Sequence, residues 1–144
     1  MRKIATAESL AGLTGLALVA LGVVGFIPGV VQHYGELTWW KSGSRAELFG
    51  VFQVSILLNF AHVGFGTAGL LAGRRWWTAR AYLSGSGTAF FVLGIYGLLV
   101  RYTSGWNFLP FDRADEWLHI GLGIGMVYAG AAVGWSALRP APAS

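Results

Sequence analysis

The sequence predicts an all-α fold: a transmembrane four-helix bundle built from a duplicated two-helix hairpin. Three observations predict it. Charged residues make up only 11% of the 144-residue chain, while 55% are hydrophobic. Soluble domains carry about 25% charged residues, so this chain lacks the polar surface that water demands. Four apolar blocks approach or exceed the roughly 20 residues needed to cross a bilayer. Two of those blocks carry the same phrase, His62-Val63-Gly64-Phe65-Gly66 and His119-Ile120-Gly121-Leu122-Gly123.

The spans follow in order. Span one covers 10–27, and Pro28-Gly29 ends it. The basic start Met1-Arg2-Lys3 resembles a signal peptide. The uncharged run from Leu10 to Val31 is longer than the about 7–15 residues of a signal core, and no small-x-small cleavage site follows, so it is read as a retained span. Span two lies within 48–73, span three covers 81–100 and span four 117–138. The tail 139–144 is short and Pro-rich, and is read as flexible. The whole chain is one integral membrane domain.

Orientation rests on Lys and Arg. Four spans place Arg2, Lys3, Arg74, Arg75, Arg80 and Arg139 on one side, and Lys41, Arg45, Arg101 and Arg113 on the other. The short middle loop, basic and without an acid, puts both termini in the cytoplasm of a multi-pass plasma-membrane protein. Trp39, Trp40, Trp106 and Trp117 fall at outer boundaries, and Trp76, Trp77 and Trp135 near inner ones, as interfacial aromatic belts require. The net charge of +4 is spread over short loops and implies no nucleic-acid partner. The expected partners are the lipid bilayer and, within it, another membrane protein or further copies of the chain. The absence of cysteine excludes disulfides, thiolate metal sites and iron–sulfur clusters.

The hairpin repeats in sequence. Leu21-Gly22-Val23-Val24-Gly25 in span one matches Leu93-Gly94-Ile95-Tyr96-Gly97 in span three, and the histidine phrases match in spans two and four. Span two has a seam of Ser55, Asn59, His62, Gly66, Gly69 and Gly73, every member small or polar. Helix packing is assigned to Gly22, Gly66 and Gly69, and to Gly121 and Gly125 as a GxxxG pair.

The candidate polar cluster is Asn59, His62, Asp115 and His119, with no catalytic set and no metal assigned. A polar group in hydrocarbon needs a partner. The structural reading pairs His62 with Asn59 or a backbone carbonyl, and has Asp115 cap span four and accept from His119. An alternative is a proton relay. Another makes His62 and His119 axial haem ligands on different helices, with nearby glycines admitting a flat macrocycle. Shared ligation needs equal depth. If span two starts at Leu48, His62 lies too deep; if it starts near Ile56, the depths converge. The leading function is a structural or accessory membrane component rather than an enzyme. Haem or proton handling is the runner-up, and a small-solute carrier or channel subunit is a third reading. His33 is read as an interfacial loop residue and Glu8 as a solvated or capping charge.

These residues carry a resemblance. Phe26-Ile27-Pro28-Gly29 ends the first span, and Asn59-Phe60-Ala61-His62 lies in the second. Asp115-Glu116-Trp117-Leu118-His119 opens the fourth, with Asn107 upstream. The chain resembles the small four-helix bacterial membrane proteins, common in actinobacteria, classed as domain of unknown function 4383. The resemblance covers nearly the whole chain and implies an architecture and a polar cluster, not a reaction. Members often carry Asn-Pro-Leu-His before the Asn-x-x-His. Here Ser55-Ile56-Leu57-Leu58 stands in its place, without the proline and with one histidine fewer, which favours a continuous second span.

Overall fold

The computed structural model describes residues 6–39, 44–100 and 112–137, with side chains to residue 132. It is all-α in its main elements. The helices are α1 (Ala7–Val24), α2 (Ile56–Ala72), α3 (Trp76–Leu99) and α4 (Arg113–Ala137). Between α1 and α2 lie β1 (Val31–Gln32), a 3-10 turn at Tyr34–Glu36, β2 (Glu47–Leu48) and β3 (Phe52–Gln53). The strands form one antiparallel sheet in the order β1-β2-β3. Trp40, Trp106, Asn107, the tail, and the basic residues Arg2, Lys3, Lys41, Arg101 and Arg139 fall outside the described residues, as does the side chain of Trp135.

The starts of α1 and α2 have local causes. Thr6 and Ser9 form a capping box at α1, each satisfying a backbone N–H of the other. The Ser55 hydroxyl accepts the Leu58 N–H at 3.1 Å and starts α2. The helix therefore begins at Ile56 and not at Leu48. The missing proline does not lengthen it, because serine caps as well, and Leu48 is already paired with Phe52 across a hairpin. The hairpin turn places Phe49 and Gly50 at positive φ. Glycine adopts that backbone freely and phenylalanine does not.

The sheet covers one end of the bundle. Its buried residues Val31, Ala46, Leu48 and Val54 form a small core of their own, with Leu21 and Val24 of α1 packed against it. The Gln53 amide N–H donates to the Asp115 carboxylate at 3.1 Å, tying the cap to the start of α4.

The helices pack as two intimate pairs, α1 with α2 and α3 with α4. Both pairs are built alike. A Cβ at Gly15 would stand 2.6 Å from the Gly66 carbonyl oxygen, and one at Gly87 would stand 2.9 Å from that of Gly123. A Cβ at Gly22 would meet the Asn59 carbonyl oxygen at 2.5 Å, and one at Gly94 that of Glu116 at 2.8 Å. At Gly66 and at Gly123 a Cβ would lie 2.5 Å from the amide nitrogens of Val19 and Phe91. Contacts in the first pair thus recur in the second, shifted by 72 residues on α1 and α3 and by 57 on α2 and α4. This register corrects the expected GxxxG contact. Gly121 and Gly125 face open space, and Gly123 is the α4 residue that meets α3.

The outward faces are apolar, and polar residues are buried beside a core that includes Leu18, Leu83, Phe90 and Met126. Leu13, Leu16, Phe60, Leu71, Val92 and Ile124 are exposed, while Ser55, Asn59, His62, Ser86 and His119 are buried. Among the described residues two helices, α1 and α3, are long and apolar enough to cross a membrane; α2 is apolar but has 17 residues.

Candidate functional site

The matched histidines meet. His62 is six residues into α2 and His119 six residues into α4, so each stands about 9 Å along its helix from the capped end. Their ring centroids are 6.0 Å apart. The late start of α2 is what equalises the two depths.

Each imidazole is held in the same way. His119 Nδ1 lies 2.7 Å from the Asp115 backbone carbonyl, four residues back. A carbonyl only accepts, so Nδ1 carries the hydrogen. At His62 the backbone hydrogen-bond partner is Leu58, also four residues back. In each neutral ring the second nitrogen is therefore an acceptor.

Asn59 does not pair with His62. Its side-chain amide donates at 2.7 Å to the carbonyl of Gly25, the C-cap of α1. Helix ends leave carbonyls without partners, and this bond satisfies one of them inside the bundle. Gly25 permits the approach, since a Cβ there would collide with the Asn59 amide.

Asp115 does not accept from the His119 ring either. Its Oδ2 accepts the Gln53 N–H at 3.1 Å and the Asp112 N–H at 3.3 Å, and Asp112 Oδ1 accepts the Asp115 N–H at 2.9 Å. Asp112 is the capping residue and Asp115 its reciprocal partner. Asp115 stands ahead of the apolar stretch that begins at Trp117. Burial pushes its carboxyl up to about 8, and the Asp112 carboxylate beside it acts in the same direction. Both backbone donors converge on Oδ2.

Two residues of the site escaped the sequence reading. Glu116 is buried and stands three residues before His119, as Asn59 stands three before His62. It packs under Gly97 as Asn59 packs under Gly25. That spacing was visible in the sequence. Phe90 is the other. Its ring centroid lies 6.5 Å from that of His62 and 5.5 Å from that of His119. Nothing in an apolar run marks such a phenylalanine.

A cavity of about 340 Å³ opens beside the pair, between α1 and α4. Leu18 and Leu21 of α1, Leu122 of α4 and both imidazoles line it. Among the described residues no group of three or more His, Cys, Asp or Glu is placed to hold a metal ion.

The family comparison matches residues 9–132 to the model described as a domain of unknown function, DUF4383. No curated protein and no solved structure matches the chain.

Proposed function

The chain belongs to the DUF4383 family, and on that footing we propose that it is a multi-pass membrane protein. In this reading all four helices span the bilayer as a duplicated hairpin bundle, with both termini cytoplasmic. It serves as a structural or accessory component of the membrane rather than as an enzyme. The observation that carries this is the exposed apolar surface of the helices, together with the polar groups buried between them. Leu13, Leu16 and Val23 of α1 and Phe91, Val92, Leu98 and Leu99 of α3 are exposed. Water would penalise such a surface, whereas lipid accepts it. The buried polar groups bond to backbone carbonyls and amides of neighbouring turns, which suits an anchoring role. Membranes from expressing cells, washed in alkaline carbonate, should retain the whole chain. Release into the supernatant overturns the reading.

Shared haem ligation is the second reading, favoured by the 6.0 Å between the rings. It meets an obstacle in Phe90, which packs against both imidazoles and would have to leave for a macrocycle to enter. The purified protein is expected to be colourless. A Soret band lost in His62→Ala would reinstate haem.

A further inference from the structure

The cavity beside the histidines has a filled counterpart in the other half of the molecule. The 72-residue shift that carries α1 onto α3 takes Leu18 to Phe90. The 57-residue shift that carries α2 onto α4 takes Phe65 to Leu122. Leu18 and Leu122 line the open cavity. Phe65 and Phe90 pack together with centroids 5.4 Å apart and occupy the equivalent space on the other side of the histidine pair. So one lobe holds two phenyl rings and the other holds two leucines and a void. An apolar void costs packing energy unless something enters it.

The filled lobe indicates what fits the empty one. Phe90 lies nearly parallel to His62, at an interplanar angle of 17°. A flat aromatic ring therefore suits the space against these imidazoles. The polarity of the ligand follows from the hydrogen bonds. The His62 ring has the Leu58 backbone as its hydrogen-bond partner, so its neutral ring offers an acceptor and asks for a donor. The walls are mostly leucine, and Leu13 and Leu118 at the rim are exposed. The opening lies between α1 and α4, a loosely packed helix pair. Pockets of roughly 300–1,000 Å³ with apolar walls and one or two fixed polar groups are the usual form of small-molecule sites.

We propose that the cleft between α1 and α4 binds a lipophilic phenol, hydroquinones included, from the bilayer. The ring occupies the space that Phe90 fills in the other lobe, and the hydroxyl donates to His62. This rests on the membrane-spanning reading, which the carbonate wash decides before any ligand is added. The test uses the full chain in lipid nanodiscs, ¹⁵N-labelled at histidine and titrated with 4-hexylphenol or its methyl ether. The phenol should bind saturably and move the resonance of the His62 acceptor nitrogen. The ether, which has no O–H to donate, should bind about tenfold more weakly, the equivalent of one hydrogen bond. Leu18→Phe places in this lobe the residue that the other lobe already tolerates, and should abolish binding while the fold persists. His62→Leu should weaken the phenol to the level of the ether. Equal binding of phenol and ether, unchanged binding in Leu18→Phe, or no saturable phenol binding overturns the proposal.

Discussion

Asp115 is the residue whose behaviour the structure makes most specific. Its carboxyl is raised to about 8, chiefly by burial and also by Asp112. A carboxyl raised in the folded state holds a proton that the unfolded chain releases near its ordinary value of about 3.9. Its contribution is therefore complete at low pH, falls as pH rises, and is lost above about 8. Melting temperature in detergent should decline across that window, and Asp115→Asn should flatten the decline. An identical slope in the variant would show that Asp115 does not carry the effect. The polar cluster itself was legible, because His62, Asn59, His119 and Asp115 interrupt apolar runs. Their partners were not. Each bonds a backbone group, of Leu58, Gly25, Asp115 or Gln53, and every residue in a chain presents those. Glu116 was passed over because a glutamate near a helix start reads as a solvated charge until its offset from His119 is set beside that of Asn59 from His62.

Helix pairing is the next scale, and it turns on glycine register. Gly66 admits no side chain, since a Cβ would sit 2.5 Å from the Val19 amide nitrogen. Backbone cannot give way as a flexible side chain can, so Gly66→Ala should separate α1 from α2 and cost about 2 kcal/mol or more. Gly121 has nothing within 4 Å of the same position. There Gly121→Ala should be neutral or stabilise by up to about 1 kcal/mol through helix propensity. Thermal unfolding of both variants in one detergent checks the contrast, and equal losses would mean the register is wrong. The sequence pointed to Gly22, Gly66 and Gly69 through their heptad-like spacing. It misassigned α4 because GxxxG is common on helix faces that touch nothing. The correct residue, Gly123, is the one that the histidine offset maps onto Gly66. The three-stranded cap was illegible for another reason. Strands of two residues have no periodicity, and β1 pairs with β2 across 15 residues or more, from Val31 to Leu48 and from Gln32 to Glu47.

For the whole molecule, charge and the two ends of the bundle make one connected prediction. Arg74, Arg75 and Arg80 cluster at the α2–α3 turn, with Glu8 of α1 the acid that the packing brings beside them at Gly73. The capped end mixes Arg45 and Arg113 with Glu36, Glu47, Asp112 and Asp115, and Arg45 pairs with Glu36 at 3.7 Å. Lys and Arg retention sets orientation, so the proposed topology has the turn facing the cytoplasm and the sheet facing out. The same orientation puts the exposed Trp39 and Trp117 at the outer boundary and the exposed Trp77 at the inner one. Because the chain has no cysteine, single introduced thiols report without background. Gly35→Cys, in the cap and with open space around it, should react with a membrane-impermeant maleimide in intact cells. Trp77→Cys, 73% exposed beside the basic turn, should react only after permeabilisation. Exchange of the two results would invert the orientation and leave the bundle intact. Labelling of both sites in intact cells would mean that α2 does not cross the bilayer, which the four-span bundle excludes.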